Sequence, residues 1–267
     1  MTGLVKAEPE HSVSVGRSVV AFSMSFVVLL WLAHALGYFL HEFAHSFTAW
    51  ILGYKANPLA LTYGHLTPTN LLIQAQVEEN VDYDPIFVAG KGFEAALIAG
   101  AGVLANVVYY LGSLKLYSIC KQHDWKPAGL FSVLFCLMNA GNFLDYVPVR
   151  TFTTHGDMVT LERGLHISPW WVVAVAGMPF AWAIWHFFRT LLPDASWFLF
   201  PENQLRHIAL VVTSCFVMFG YYGSSGLHGY GEICRRISLF SALVILPAAL
   251  ILCWPRRRYA GETQVAA

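Results

Sequence analysis

The chain has 267 residues, 57% of them hydrophobic and only 12% charged, with 16 basic and 16 acidic side chains and a formal net charge of zero. Its mean hydropathy of +0.54 lies far from soluble domains, in which about a quarter of residues are charged, and the composition is that of an all-α polytopic membrane protein. A balanced charge and a pI near 7.2 exclude the basic field that nucleic-acid binding requires.

A helix needs roughly 20 apolar residues to cross about 30 Å of hydrocarbon, and six such stretches are expected between Arg17 and Trp254. Residues 1–17 form a polar tail. The apolar run that follows is longer than a signal-peptide core and lacks a cleavage site, so it is read as a retained first span within 18–52. Residues 53–85 contain Asn57, Pro58, Gly64, Pro68 and the acids Glu78, Glu79, Asp82 and Asp84. They suggest a turn-rich loop, with short strands expected around 59–63 and 71–77. Further spans are expected at about 86–116, 128–144, 169–192, 207–222 and 237–254, making 18–255 one transmembrane domain followed by a basic tail, 256–267.

Six spans place both termini on one side. That side then carries Lys6, Arg17, Lys115, Lys121, Lys126, Arg189, Arg206, Arg256, Arg257 and Arg258, ten of the sixteen basic residues, which points to cytoplasmic termini in a cell (inner) membrane. Trp50, Trp170, Trp171, Trp197 and Trp254 fit an interfacial aromatic belt. The five cysteines are scattered, without a CxxC pair, and read as small core residues.

The chemistry concentrates in the first span, where His41-Glu42-Phe43-Ala44-His45 forms an HExxH motif in apolar sequence. Helical positions four apart share a face, so the two imidazoles converge on one point while Glu42 flanks them. Left without partners in hydrocarbon, two imidazoles and a carboxylate would cost several kcal/mol, which favours a metal ion over a structural role. Zn²⁺ accepts neutral imidazole and, with an open fourth position, lowers the pKa of a coordinated water from about 16 toward 7. Glu42 is the expected base. His34, almost two turns away, is expected to line a water path or bond a neighbouring span.

A third protein ligand must come from elsewhere. The candidates lie between Met138 and Met158, which contains Asn142, Asp145, Pro148, His155, Gly156 and Asp157. On these residues the chain resembles the site-2 protease family of intramembrane zinc metalloproteases, which pairs an HExxH helix with a later Asn-x-x-Pro segment followed by an Asp beside a Gly. A further similarity is Ala99-Gly-Ala-Gly102-Val-Leu-Ala-Asn106, which looks like the family's small-residue Gly-x-x-Asn helix. The resemblance covers roughly the first 160 residues. It implies a zinc-dependent metalloendopeptidase that cleaves a membrane-protein or peptide substrate in or near a membrane-spanning segment. Asp157 is then the expected third ligand, with Asp145 as the alternative. Asn142 and Asn106 become candidates for positioning substrate or site, and an edge strand of the loop at 53–85 would hold an unwound substrate by strand addition. Here Pro148 stands nine residues before Asp157 and the order is Gly156-Asp157, both departures from the family pattern, and His155 is chemically suited to zinc as well.

Other features have plainer readings. Lys91 and Glu94 suit an ion pair. The small residues Gly90, Gly92, Ala96, Gly100 and Gly102 permit close helix packing, expected against the zinc helix. His186, His207 and His228 have no ligand-like spacing. The rival functions are a non-proteolytic membrane metal-binding protein or transporter using the same His/Glu site, and an iron or haem oxidoreductase.

Overall fold

The computed structural model describes residues 10–255 apart from His228, with side chains described from residue 19 onward. Most of the expected 1–17 tail, the 256–267 tail and His228 therefore lie outside the described residues. Helix α1, Glu10–Ile51, already begins within the segment read as a tail.

Among the described residues, six helices are long and apolar enough to cross a membrane, which fits a multi-pass membrane protein. The first is Val19–Ile51 within α1. A loop follows that carries α2 (Pro68–Ile73) and α3 (Asp84–Val88). The second span is α4, Gly92–Gln122. The third is α5, Lys126–Leu144, continued by a π-helical turn at Asp145–Val149. After α6, Asp157–Leu165, the fourth span runs from α7, Pro169–His186, through α8, Leu192–Leu199. The fifth begins with α9, Gln204–Cys215, and the sixth joins α10, Glu232–Phe240, to α11, Leu246–Cys253.

Helix α5 is the hub. Leu134, Leu137 and Ala140 are fully buried, and α5 packs on α1, α4, α7 and α8. The outer spans expose large apolar side chains such as Trp182, Leu243 and Leu252, the surface that hydrocarbon tails would solvate at no cost to backbone hydrogen bonds closed within each helix. All five cysteines are free, four of them buried.

The strands expected after the first span do not form, and no strand occurs among the described residues. Only one antiparallel bridge, Thr62 with Glu78, is present. The reason lies in local capping. Thr67 accepts from the Asn70 amide with Pro68 at the first helical position, so the segment starts a helix rather than a strand. Asn70 then closes the loop on itself, donating to Tyr63 O and His65 O and accepting from Gln76 N. The loop also folds back along α1. Trp31 Nε1 donates to Leu71 O at 3.0 Å, and His34 Nδ1 lies 2.9 Å from Gln74 Oε1, seven to ten residues before His41 along α1, or about 10–15 Å. His34 Nε2 meets Tyr221 Oη of the fifth span at 3.0 Å, so this histidine ties a neighbouring span and the loop to α1.

Candidate metal centre

His41 and His45 project from one face of α1, and both are buried. Helix α4 faces them through Gly102. A Cβ there would fall on both imidazoles, closer than any real carbon contact, so the two rings can approach this helix only because the position is glycine.

Asp157 reaches the same point by a longer route. Pro148 and the extended Val147 (φ −136°, ψ 110°) end the third span. Gly156 then adopts φ 86°, a left-handed backbone open to glycine, and Asp157 opens α6, where a carboxylate complements the helix dipole. Helix α6 lies on α4 along the small-residue stripe. Gly164 approaches Gly92 and Ala96, and Leu161 approaches Gly100. The stripe thus divides its work, Gly102 facing the histidines and Gly92, Ala96 and Gly100 receiving the helix that carries Asp157.

His41 Nε2 and His45 Nε2 stand 3.0 Å apart, and Asp157 Oδ2 is 3.6 Å and 3.5 Å from them. A tetrahedral ion with bonds of about 2.0–2.1 Å places its ligand atoms about 3.3–3.4 Å apart, so the triangle has the right size for one. Its protonation fits too. His45 Nδ1 donates to Ile98 O at 2.6 Å, which fixes the tautomer and leaves the Nε2 lone pair facing inward. Asn106 sits 3.1 Å from His41 Nδ1. The Asn106 Oδ1 atom is otherwise buried without a partner. Turning the amide so that this oxygen accepts from Nδ1–H satisfies it and leaves His41 Nε2 unprotonated. Two lone pairs and a carboxylate oxygen then share one small space, an arrangement that a cation would suit. His41, His45 and Asp157 therefore form a group that could hold a metal ion.

Glu42 is buried beside the triad, near enough to interact with His45, Asp157 and Glu79 of the loop. The other candidates are elsewhere. Asp145 accepts from Arg150 Nη1 at 3.3 Å and from Ser225 Oγ. The Arg150 guanidinium also covers Tyr146 and Tyr230, with its carbon 5.2 Å and 4.8 Å from the ring centroids. His155 stacks on Tyr230. Asn142 Nδ2 donates to Met138 O of its own helix at 3.3 Å, whereas Asn106 touches His41 of the triad. Lys91 and Glu94 pair at 3.4 Å.

Sequence reasoning missed Tyr146. Its hydroxyl donates to Asp157 Oδ2 at 2.8 Å and lies 2.8 Å from His41 Nε2. The signal was a phenol in an apolar span, whose O–H must find a partner when buried.

No known family model, curated protein or solved structure matches the chain. The chemistry of the site has to be read from its residues.

Proposed function

We propose that this protein is an intramembrane zinc metalloendopeptidase of the site-2 protease type. The observation that carries the reading is the His41–His45–Asp157 triangle with a buried carboxylate, Glu42, beside it. Two imidazoles and one carboxylate are a donor set suited to catalytic zinc, which, when bound, supplies Lewis acidity and lowers the pKa of water.

The chain's own residues supply the rest. His41, His45 and Asp157 hold the ion, while Asn106 and the Ile98 carbonyl orient the rings. Glu42 takes a proton from the attacking water as its oxygen bonds to the peptide carbonyl carbon. The same carboxyl returns that proton to the amide nitrogen as the C–N bond breaks, leaving a carboxylic acid and an amine, between which the remaining proton then passes. His41 is ten residues before the end of α1, about 15 Å along the helix, which supports a scissile bond at membrane depth. An apolar groove of about 330 Å³ between Leu40, Phe43, Ala44, Phe47, Leu59 and Tyr109 flanks the zinc helix and suits a hydrophobic substrate segment. With no strand in the loop, substrate would be held by these side chains and by the irregular backbone at 53–67. The excess of basic residues on the side that carries the termini supports a cytoplasmic orientation for that side.

The nearness of the Tyr146 hydroxyl to two donors favours a second reading, a closed four-donor site that stores or carries metal without hydrolysis. Metal analysis and Glu42→Gln separate the two. Purified full-length protein is expected to carry one zinc per chain and to cleave a quenched fluorescent transmembrane peptide in phospholipid vesicles. The Gln variant should keep the zinc and lose about 10²–10⁴ in rate. Protein without stoichiometric metal, or equal turnover by both proteins, sinks the peptidase reading.

A further inference from the structure

Tyr146 sits on the π-helical turn that prolongs α5, and every contact around it fixes its ring. The ring stacks on His41 with centroids 5.3 Å apart at 19°, the Arg150 guanidinium covers it, and Thr151 Oγ1 donates to its carbonyl at 2.8 Å. The side chain is buried, and its hydroxyl stands at the His41–Asp157 edge of the donor triangle, 2.8 Å from one atom of each.

That position has a consequence once the triangle holds an ion. The His41 Nε2 lone pair is then committed, so the phenol loses one of its two partners. Asp157 Oδ2, its charge shared with an ion, would be a weaker acceptor than it is alone. The O–H hydrogen becomes free to meet an oxygen arriving beside that edge. A preorganised donor in a dry, fixed setting is what a developing oxyanion requires.

Resting on the peptidase reading above, we propose that Tyr146 is a catalytic residue that donates a hydrogen bond to the carbonyl oxygen of the scissile bond. As the water oxygen bonds to the carbonyl carbon, the C=O π pair moves onto the oxygen, and the phenol O–H stabilises the charge there. The phenol keeps its proton. The proton removed from water passes to Glu42 and then to the leaving nitrogen, and the electron pair returns to re-form C=O as the C–N bond breaks. The Asp145–Arg150–Ser225 network holds the turn that carries Tyr146, so donor and ligand edge stay in register.

The test is Tyr146→Phe in the full-length protein, reconstituted with zinc in phospholipid vesicles. Metal content, kcat and KM on the transmembrane peptide, and affinity for a phosphinic peptide analogue, whose tetrahedral oxygens mimic the charged state, are measured together. Zinc should remain at one per chain and KM should stay within about threefold. The kcat should fall about 10²–10³-fold, the size seen when one oxyanion donor is removed, and the phosphinic analogue should weaken far more than a cleaved-peptide product. Loss of zinc from the Phe variant overturns the proposal by making Tyr146 a ligand, and an unchanged kcat overturns it directly. If the Phe variant does not fold, a fluorotyrosine at 146 keeps ring and hydroxyl. A changed kcat with unchanged zinc then supports the role, and an unchanged kcat rejects it. Wild-type protein that binds zinc but never hydrolyses peptide removes the peptidase reading itself, whereas an active wild type with an active Phe variant removes only the role of Tyr146.

Discussion

Two acidic clusters, one around the buried Asp145 and one around the half-buried Asp157, solve the same electrostatic problem differently. Around Asp145 the protein provides its own counter-charge, with Arg150 at 3.3 Å and a hydroxyl from Ser225. Around Asp157 it provides two imidazoles whose inward nitrogens face each other at 3.0 Å, and among the described residues the carboxylate's close ion-pair partners are these histidines rather than Lys or Arg. A buried carboxylate must be paired or coordinated. The first cluster closes its charge balance with side chains, and the second leaves a cation-sized deficit. The contrast tells a structural acid from a ligand more reliably than distance along the chain from a proline.

The sharpest way to break this comparison is to delete each acid in turn and measure zinc content beside stability. Asp157→Ala should abolish stoichiometric zinc, with affinity falling by more than the roughly 10–100-fold that loss of a supporting hydrogen bond costs. Asp145→Ala should keep zinc in the molecules that fold but leave Arg150 buried without its acid, costing about 3 kcal/mol of stability. If the two variants exchange these phenotypes, the assignment of ligand and structural acid is reversed.

A smaller effect tests how the ligands are held. Asn106→Ala removes the side chain that reaches His41 Nδ1 and should weaken zinc about 10–100-fold without unfolding the protein. Asn142→Ala, which deletes a bond to the α5 backbone, should leave zinc affinity unchanged. Competition with a chromophoric chelator reads both. Equal affinities for the two variants would mean that the Asn106 contact does not set the tautomer of His41.

How much of this could be read beforehand follows from the range of each interaction. The convergence of His41 and His45 was visible because helical periodicity places residues four apart on one face, and the spans were visible because length and apolarity are local properties. The loop failed for a local reason as well. Leu71 and Ile73 alternate as a strand would, but Thr67 and Pro68 just ahead of them start a helix. Asp157 could be named only as a candidate, since its arrival depends on a left-handed Gly156 and on α6 packing against Gly92, Ala96 and Gly100. Those are tertiary contacts no spacing rule encodes. Tyr146 was overlooked because an aromatic in a membrane helix passes for lipid-facing bulk, and its importance lies in one hydrogen atom.

The smallest expected effect concerns the helix that delivers Asp157. Glu162 lies on α6 with Oε1 buried and unpartnered, and burial pushes its carboxyl up to about 7 from an ordinary value of 4.5. A raised carboxyl favours folding in its protonated form. Below about pH 4.5 both states hold the proton and the group costs nothing. Between 4.5 and about 7 the unfolded chain ionises first, so stability falls as pH rises, and above about 7 the full penalty applies. Glu162→Gln removes the ionisation and should be close to neutral at pH 4.5 while stabilising the protein at pH 8. Discounted for water reaching a helix outside the membrane spans, the gain is about 1 kcal/mol, or roughly 2–4 °C in Tm for a chain of this size. Thermal unfolding at the two pH values reads the difference, and a Gln variant that is no more stable at pH 8 than at pH 4.5, relative to wild type, would show that Glu162 is hydrated and places no pH-dependent load on the helix that carries the third ligand.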